Sequence, residues 1–266
     1  MLGSLVISEH ERTKISMSDT FDCKIAVVTG GSAGIGHATA RKIAARGGAV
    51  YITGRDGDRV KAAAADIPGD VIGVQADSAS VDDLDRLFTQ VQERSGRLDV
   101  LIANAAAIVP APLGSITTEI IDTVFGVNVA GTIMTVQKAL PLLVDGGAVV
   151  LVGSMAAHKA SRGQSVYAAS KAGVRALART WALELSPRGI RVNVVSPGPT
   201  DTPGIAQLAP GDEARKAFFS RMGAGTPMTR AGTAEEVAAV IAFVASDAAS
   251  HVNGADYQAD GGYGQV

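Results

Sequence analysis

A tyrosine and a lysine four residues apart are the first residues in this 266-residue sequence that suggest acid–base chemistry. They are Tyr167 and Lys171, in the stretch SVYAASKAG at residues 165–173. Side chains at positions i and i+4 share one face of a helix, so this spacing predicts that both project into the same cleft. A phenol with a pKa of about 10 is a poor proton donor or acceptor near neutrality unless a neighbouring group shifts that pKa.

The ammonium of Lys171 can shift the pKa of Tyr167 only where water is kept out. Lowering the pKa of a phenol from about 10 to near 7 requires about 4 kcal/mol of preference for the phenolate. A cation at about 4 Å contributes about 1 kcal/mol in water, and about 4 kcal/mol at an effective dielectric constant near 20. We therefore expect Lys171 to lower the pKa of Tyr167 in a cleft largely closed to water. The other interpretation, a core tyrosine beside a solvated lysine, stays open on this pair alone.

Short β-branched runs alternate with longer helical patterns, and this alternation predicts the fold that positions the pair. The predicted strands are residues 24–29, 49–53, 71–76, 98–103, 147–152, 190–195 and 255–259. Most are apolar on both faces, as strands covered by helices on both sides must be. Helix caps are predicted at Ser80 and Thr233, each followed by acidic residues. The sequence thus predicts an α/β Rossmann fold, a doubly wound, seven-stranded parallel sheet flanked by helices on both faces.

The domain organisation is predicted to be simple. Residues 1–22 are mixed and polar and are expected to form a loosely ordered N-terminal arm. Residues 23–266 contain no linker or repeat and are expected to form a single Rossmann-fold catalytic domain. A long connection at 199–228 has a weak helical pattern near 212–222, and such connections are often lids over a substrate. Its apolar residues favour a partly hydrophobic substrate, although they could equally pack onto the sheet; they are Leu208, Phe218, Phe219, Met222 and Met228.

A glycine-rich turn, TGGSAGIGHA, links the first predicted strand to the first predicted helix. Gly30, Gly34 and Gly36 allow a tight turn, a close approach to a pyrophosphate and close packing of helix against strand. The helix N-terminus then offers free amides and a positive dipole end to the phosphates. This position predicts a dinucleotide-binding loop, to which Ser32 and Ile35 also belong.

The end of the second strand indicates which dinucleotide binds. NAD-selective sites usually have an acidic residue there that binds the ribose 2′-hydroxyl. This chain reads YITGRD, in which Gly54 leaves space and Arg55 can pair with a 2′-phosphate. Ser32 could add a hydroxyl donor. These residues favour NADP(H), while NAD(H) remains possible if Asp56 binds the ribose and Arg55 faces solvent.

The chain resembles the short-chain dehydrogenase/reductase family from about residue 22 to residue 262, because six motifs occur in that family's order and spacing. They are TGGSAGIG, ANAA at 103–106, VNVAG at 127–131, GS at 153–154, YAASK at 167–171 and SPGPTDT at 196–202. The resemblance implies an oxidoreductase that transfers a hydride between a nicotinamide dinucleotide and a carbonyl or secondary alcohol. The chain departs from the family's common N-N-A-G motif, since Ala103 and Ala106 replace an Asn and a Gly. Ala33 also stands where NADP-dependent members often have a basic residue.

The resemblance and the predicted strand ends together suggest roles for the site residues. Tyr167 is the expected general acid/base, and Lys171 is also expected to bind the nicotinamide ribose. Ser154 follows the fifth strand, at the carboxyl edge where ligands sit, and is expected to hold the substrate oxygen. Asn128 is expected, by similarity, to hold a helix distortion and a water of a proton relay. The other expected cofactor contacts are Asn104, Pro197, Gly198, Thr200 and Thr202.

For each of three residues, the sequence leaves two roles open. Asp77 is either a helix-start residue or an adenine contact. His158 and Gln164 lie between Ser154 and Tyr167 and are candidates for substrate contact, with a surface loop as the alternative.

The bulk composition argues against several classes of partner. The 24 basic and 26 acidic residues give a net charge of −2, so nothing indicates nucleic acid or an anionic membrane. Cys23 is the single cysteine, which rules out an internal disulfide and favours a reducing, cytoplasmic location. The apolar N-terminal stretch MLGSLVIS is too short for a signal-peptide core, and no later apolar run is expected to approach a membrane span. The histidines lack metal-ligand spacing, at positions 10, 37, 158 and 251.

The helix that carries Tyr167 also predicts an oligomer. One apolar stripe consists of Val174, Leu177, Ala178, Trp181 and Leu185, and a second stripe of Ala169, Gly173, Ala176, Thr180 and Leu183. We expect one stripe to face the sheet and the other a partner subunit, in a homotetramer or homodimer as is common in the family. Two other functions stay open: an inactive dinucleotide-binding regulatory module, or an enzyme of another class on this scaffold, such as a dehydratase or epimerase.

Overall fold

A seven-stranded parallel sheet organises the chain in a computed structural model that describes residues 20–206 and 211–265. Its strands are β1 (Ile25–Val28), β2 (Ala49–Gly54), β3 (Val71–Gln75), β4 (Leu98–Ala103), β5 (Leu143–Val152), β6 (Arg191–Pro197) and β9 (Asp256–Ala259). Two further strands, β7 (Thr200–Asp201) and β8 (Gly232–Thr233), form a separate two-stranded ladder.

Helices connect the strands and lie on both faces of the sheet. They are α1 (Gly34–Ala44), α2 (Gly57–Asp66), α3 (Val81–Ser95), α4 (Thr118–Phe125), α5 (Thr132–Ala139), α6 (Ser165–Glu184), α7 (Pro203–Ala206), α8 (Asp212–Ala224) and α9 (Ala234–Ala245). A π-helix, Gly126–Gly131, joins α4 to α5, and a short 3₁₀-helix, Met155–Ala157, follows β5.

The strand order is β3-β2-β1-β4-β5-β6-β9, with every neighbouring pair parallel. The order reverses between β1 and β4, so the ends of these strands form a crevice at the carboxyl edge of the sheet. The prediction of an α/β, doubly wound, seven-stranded Rossmann fold is therefore confirmed.

Alternate residues of the strands bury two separate core layers. On one face Val28, Ile52 and Ile102 pack with residues of α1, α2 and α9. On the other face Val27 and Leu101 pack with residues of α3, α5 and α6. Both sides of each central strand are thus covered, which is why the sequence shows continuous apolar runs rather than alternation.

Local capping signals fix the ends of two helices as the sequence predicts. Ser80 caps α3 through its side chain, and Gly96 ends that helix with a left-handed φ of 69°. Thr233 caps α9 in a reciprocal capping box with Glu236.

The last residues of the predicted N-terminal arm are described by the structure, and one of them packs with the core. Residues 1–19 of the arm lie outside the described residues, but Phe21 is fully buried and packs with the core that includes Ile43. Its backbone N–H donates to the carbonyl of Arg46 at 2.8 Å. Phe21 therefore belongs to the core, although a polar sequence around it suggests a loose segment.

The predicted lid segment contains β7, α7, α8 and β8. The weak helical pattern near 212–222 corresponds to α8, whose Phe219 is buried, whereas Met228 is more than half exposed. Leu208 lies outside the described residues. Closure of this segment over a substrate, and the single-domain boundary at residue 23, stay predictions.

One helical run is more apolar than the sequence analysis expected. The run Thr118–Ala139 is 22 residues long and contains an 18-residue window with a mean hydropathy of 1.3, which by length and composition alone suffices to cross a membrane. It comprises α4, the π-helix and α5, and in the fold it packs against α3 and α6. It thus forms part of the helical layer that covers the sheet.

Candidate active site

A cleft of about 660 Å³ lies along the carboxyl edge of the sheet. Residues that follow β1, β2, β3, β4, β5 and β6 all line it, so the parallel sheet alone brings these distant parts of the sequence together. Of the residues that the sequence analysis assigned to the site, the following line it: Gly30, Ser32, Gly34, Ile35, Arg55, Asp77, Asn104, Ser154, Gln164, Tyr167, Lys171, Pro197, Gly198, Thr200 and Thr202.

The glycine-rich turn leaves β1 and enters α1 at one wall of the cleft. Gly30 adopts a left-handed φ of 64°, which strains other residues. Gly36 lies buried on the first turn of α1, where an added Cβ would come within 2.6 Å of Asn104 Nδ2. Side chains are therefore disfavoured at Gly30 and Gly36, which keeps the backbone of the turn close to the wall of the cleft.

The N-terminus of α1 lacks a side-chain cap. Ala33 occupies the N-cap position and offers no acceptor, and the first turn holds no acidic residue. By contrast α2, α3, α4 and α9 each have a capping side chain. An uncapped N-terminus that faces a cleft favours an anion, so these residues fit the pyrophosphate of a dinucleotide.

Asn104 holds the glycine-rich turn rather than presenting its side chain to a ligand. Its Nδ2 donates to the carbonyl oxygens of Thr29 at 2.9 Å and Gly30 at 3.1 Å. Thr29 Oγ1 in turn accepts from the backbone N–H groups of Asn104 and Ala105. The Asn104 side chain thus supports the loop that lines the cleft, and the expected contact of Asn104 with the cofactor stays a prediction.

Ser154, Tyr167 and Lys171 meet at the centre of the cleft. Ser154 follows β5, and its Oγ accepts from the N–H of Ala156 at 3.1 Å. Both Tyr167 and Lys171 project from one side of α6. Tyr167 is hydrogen-bonded to Ser154, and Lys171 Nζ lies 5.9 Å from the centroid of the Tyr167 ring. Lys171 is buried, and its Nζ donates to the carbonyl of Val152 at 2.8 Å.

The electrostatics of this trio differ from the expectation. Burial raises the pKa of Tyr167, and the hydrogen bond with Ser154 opposes that rise only in part. Burial also lowers the pKa of Lys171 to about 8. The expectation that Lys171 lowers the pKa of Tyr167 is therefore corrected: among the protein's own groups, desolvation dominates and favours the neutral form of both.

Asn128 lies fully buried in the π-helix, behind the cleft rather than in its lining. Its Oδ1 accepts from the N–H of Ala107 at 2.7 Å, and its Nδ2 donates to Ala107 O and to Ser170 Oγ. The helix distortion that was expected at this residue is present. The water relay through Asn128 stays a prediction.

Two arginines line the end of the cleft beyond β2. Arg55 is exposed there, with its carbonyl fixed by a 2.9 Å hydrogen bond from Gln75 Nε2. Arg59, on the first turn of α2, lines the same end and was not foreseen from the sequence. Asp56 caps α2, its Oδ1 accepting from the N–H groups of Asp58 and Arg59 at 3.1 and 3.0 Å. The Oδ1 atom of the Asp56 carboxylate is therefore engaged in capping α2.

Asp77 lies at the start of the segment that leads into α3, and its contact with an adenine stays a prediction. Its Oδ1 accepts from the N–H of Ala79 at 2.9 Å just before α3, and the residue also lines the cleft.

At the opposite wall, Thr202 packs against Gly34, since a Cβ on that glycine would lie 3.3 Å from Thr202 Cβ. Thr200 Oγ1 donates to the carbonyl of Gly198.

His158 does not reach the cleft, whereas Gln164 lines it. His158 Nε2 lies 2.9 Å from Asp256 Oδ2 at the start of β9. The other oxygen of Asp256 accepts from Ser196 Oγ at 2.7 Å. His158 therefore ties the loop after β5 to the sheet, and the expected substrate contact is not supported by its position.

Sequence reasoning missed two residues of the cleft lining, Lys159 and Tyr263, whereas Met222 of the predicted lid segment does line the cleft. Tyr263 could have been found, because the residues after a parallel strand such as β9 reach the same edge as the active-site loops. Lys159 could have been found by the spacing argument that singled out His158 and Gln164. Within the described residues, no group of three His, Cys, Asp or Glu side chains is arranged to hold a metal ion.

Known proteins resemble the chain over nearly all of its length. The family described as enoyl-(acyl carrier protein) reductase matches residues 30–264. The oxidoreductase asL5 of Sarocladium schorii is 42% identical over 245 residues, covering 91% of this chain and 96% of that protein. A cis-4-hydroxycyclohexanecarboxylate dehydrogenase of Sinomonas cyclohexanicum is 39% identical over 255 residues, covering 94% of this chain and 100% of that protein.

A solved structure shares both the fold and much of the sequence. The crystal structure of a short chain dehydrogenase from Burkholderia cenocepacia in complex with NADP superposes with a TM-score of 0.83 at 37% identity, covering 91% of this chain and 98% of that one.

Proposed function

This chain belongs to the short-chain dehydrogenase/reductase family, and from that premise we propose that it transfers a hydride between NADP(H) and a carbonyl or secondary alcohol, with Tyr167 as the general acid/base. Its relatives are oxidoreductases, and the family binds a nicotinamide dinucleotide. The observation that carries the proposal is the meeting of Ser154, Tyr167 and Lys171 in the cleft that begins at the uncapped N-terminus of α1.

Each residue of the trio has one task in the proposed reaction. When bound, the nicotinamide supplies the hydride in reduction and accepts it in oxidation. Tyr167 gives its phenolic proton to the carbonyl oxygen in reduction and takes the alcohol proton in oxidation. Ser154 donates a hydrogen bond to the same oxygen and stabilises charge that develops there. Lys171 binds the ribose hydroxyls of the nicotinamide half.

The preference for NADP(H) is supported by the charges at the far end of the cleft. Arg55 and Arg59 both line that end, and Ser32 lies beside Gly54, where a Cβ would come 3.0 Å from its Oγ. Two guanidinium groups and a hydroxyl suit a 2′-phosphate. The NAD alternative needs Asp56 for the ribose, and that carboxylate already caps α2.

We expect Arg55→Asp to lower kcat/KM for NADPH by about 100-fold or more, because it removes a charge-assisted contact and adds a like charge beside the phosphate. The same change leaves kcat/KM for NADH within about threefold, since the 2′-hydroxyl carries no charge to repel. Steady-state kinetics with both cofactors measure the ratio. Arg94→Asp, at an exposed arginine paired with Asp70, is the matched control. An unchanged ratio in Arg55→Asp would reject the NADP assignment.

The substrate is proposed to be a small carbonyl or alcohol compound with an apolar body. Apolar side chains are part of the lining of the cleft that also holds Ser154; they include Ile108, Val127, Met155 and Met222. A relative named for its action on a cyclic secondary alcohol, cis-4-hydroxycyclohexanecarboxylate, supports this class.

A panel of ketones and secondary alcohols, followed by the absorbance of the reduced nicotinamide, tests the function directly. The proposal expects turnover of at least one member. Cofactor binding without turnover across a broad panel would favour the inactive regulatory module instead. Conversion of a substrate without net change in nicotinamide absorbance would favour an enzyme of another class.

An oligomer is proposed through the outer faces of α4 and α6. The second stripe of α6 is largely exposed, with Leu183 at 76%, and α4 presents Ile121 and Phe125 at 41% and 36% beside it. Adjacent apolar side chains of this kind mark interaction surfaces. We expect Leu183→Glu to lower the mass measured by light scattering, whereas Val81→Glu on α3, also half-exposed, leaves it unchanged. A wild-type protein of monomeric mass at all concentrations would contradict this proposal.

A further inference from the structure

The carboxylate of Asp256, at the start of β9, contacts side chains from three other parts of the fold. Its Oδ2 lies 2.9 Å from Nε2 of His158, in the loop after β5, and 3.6 Å from Nε of Arg175, on α6. Its Oδ1 accepts from Oγ of Ser196, on β6, at 2.7 Å. The Asp256 side chain is 7% exposed, so these contacts are little weakened by water. One buried carboxylate thus joins three elements that pack around it.

The contact with His158 fixes the turn that carries Ser154. This turn is the 3₁₀-helix Met155–Ala157, in which Ser154 is the N-cap residue and His158 is the C-cap residue. At its first end, the N–H of Ala156 donates to Ser154 Oγ at 3.1 Å. Because the turn is so short, a His158 ring that is held by Asp256 leaves Ser154 little freedom to move.

The chain directly before Ser154 is also held from the Asp256 side. Gly153 packs against Ser196, because a Cβ at this glycine would come within 2.5 Å of Ser196 Oγ. The N–H of Gly153 donates to the carbonyl of Val195 at 2.8 Å, which keeps the end of β5 against β6. Because Ser196 Oγ is itself bound to Asp256, the carboxylate supports the backbone on both sides of Ser154.

The contact with Arg175 connects the same carboxylate to the helix of the acid–base pair. Arg175 follows Lys171 by four residues, as Lys171 follows Tyr167, so the three side chains lie on one side of α6. The guanidinium of Arg175 is 29% exposed and pairs with Asp256, which places opposite charges together where water has limited access. Asp256 therefore links the side of α6 that presents Tyr167 to the turn that presents Ser154.

We propose that Asp256 is a positioning residue, which sets Ser154 at hydrogen-bonding distance from Tyr167. It does so through His158 on the turn of Ser154 and through Arg175 on α6. Asp256, His158 and Arg175 do not line the cleft, so they act on the trio rather than on the substrate. This inference rests on the proposed function for the tasks of Ser154 and Tyr167 in the reaction.

The hydrogen bond between Ser154 and Tyr167 can be observed without substrate or cofactor. The chain has four tyrosines, so tyrosine labelled with an NMR-active isotope at Cζ gives four signals, and Tyr167→Phe identifies the one from Tyr167. Ser154→Ala moves this signal because it removes the hydrogen bond to the phenol. We expect Asp256→Asn, which keeps the shape of the side chain and removes its charge, to move the signal in the same direction. A Tyr167 signal that stays at its wild-type position in Asp256→Asn, or that Ser154→Ala does not move the same way, overturns the proposal.

Asp99→Asn is the matched control, because Asp99 has similar surroundings at the opposite edge of the sheet. Its side chain is 8% exposed at the start of β4, where its carboxylate pairs with Arg97 and accepts from the N–H of Ile25 at 3.0 Å. Both substitutions are expected to lower the midpoint of urea unfolding, since each weakens a buried charge-assisted contact. Only Asp256→Asn is expected to move the Tyr167 signal. An equal movement in Asp99→Asn would mean that the signal follows stability rather than positioning, and the inference would then be wrong.

Where a panel ketone is reduced, a double-mutant cycle tests whether Asp256 acts through Ser154. Asp256→Asn alone is expected to lower kcat by about tenfold, because a small misplacement of a catalytic group is costly. In the Ser154→Ala background, the same substitution is expected to change kcat by less than about twofold, since the group that it positions is already gone. Two losses that multiply in the double variant would instead show that Asp256 acts independently of Ser154, which contradicts the proposal.

His158 provides a second route to the same test, because its side chain is 32% exposed and its substitution disturbs the core less. His158→Ala removes one contact of Asp256 and is expected to move the Tyr167 signal as Asp256→Asn does. His158→Gln is expected to leave the signal in place, since a glutamine Nε2 donates to Asp256 Oδ2 from nearly the position of the histidine Nε2. Equal signals from the two variants would reject the positioning role. Absence of turnover across the ketone panel would contradict the proposed function alone, because these signals are measured on the protein without substrate.

Discussion

Tyr167→Phe is expected to lower kcat by about 10²- to 10⁴-fold, the usual contribution of a positioned general acid or base. The substitution removes one oxygen and leaves a ring of the same shape on α6. Because burial raises the pKa of Tyr167, the phenol holds its proton at neutral pH and can give it to a carbonyl oxygen. Cofactor binding, measured by calorimetry, is expected to stay within about twofold, since the phenol acts on the substrate oxygen rather than on the phosphates.

The direction of the pKa shift adds a pH dependence to this prediction. Reduction needs the phenol and oxidation needs the phenolate, so alcohol oxidation rises with pH through the alkaline range while ketone reduction does not. Tyr257→Phe is the matched control, since Tyr257 lies on β9 against Phe243. If Tyr167→Phe kept wild-type turnover, another residue would have to supply the proton.

The sheet could be predicted from the sequence because its signals are local. Apolar runs bounded by turn residues marked each strand to within a few residues, except that β5 begins at Leu143 rather than at 147. The residues Asp145, Gly146 and Gly147 interrupt the apolar run there, and the pairing of β4 with β5 is irregular at the same point. The signals for the helix caps at Ser80 and Thr233 were equally local, and both caps were predicted correctly.

Side-chain partners that lie far apart in the sequence could not be predicted. Asn104 resembled a cofactor contact by its motif, but its amide binds carbonyls of Thr29 and Gly30, which only the pairing of β1 with β4 brings close. Phe21 sits among polar residues, and nothing local indicates that it fills a gap beside Ile43. Such contacts depend on packing between elements, which periodicity does not report.

His158 and Lys159 are adjacent in the sequence, but only one of them lines the cleft. Both follow the 3₁₀-helix Met155–Ala157, and the sequence analysis named the histidine because it lies between Ser154 and Tyr167. In the fold His158 lies against Asp256, and its neighbour lines the cleft. A turn of three residues carries no apolar periodicity from which the direction of the next side chain could be inferred.

The predicted direction of the Tyr167 pKa shift was wrong because a nearby cation lowers the pKa of a phenol, whereas burial raises it. A sequence gives the spacing of the ammonium from the ring but not the desolvation of either group. In the fold both are buried together, so the cost of ionisation outweighs their attraction in the protein alone.

Lys171→Met is expected to abolish most activity and at the same time to stabilise the protein at neutral pH. We expect kcat/KM to fall by about 100-fold or more through loss of charge-assisted hydrogen bonds to the ribose. Burial lowers the pKa of Lys171 from 10.5 to about 8, so the buried charge costs about 3 kcal/mol at pH 7. Methionine removes that cost but leaves the carbonyl of Val152 without its donor, at about 1–3 kcal/mol. The net gain expected in urea unfolding is about 1 kcal/mol.

The pH dependence of this gain distinguishes it from a simple packing effect. The unfolded chain keeps the lysine proton up to a pH near 10.5, whereas the folded protein releases it near 8. Between these values the unfolded state binds more protons, so wild-type stability rises with pH relative to the variant. The advantage of Lys171→Met is therefore complete below pH 8 and lost by pH 10.5, where the missing hydrogen bond leaves it less stable. Lys61→Met, at an exposed lysine, should show no such crossing, and a pH-independent difference for Lys171→Met would mean that the pKa of the buried amine is not lowered in the folded protein.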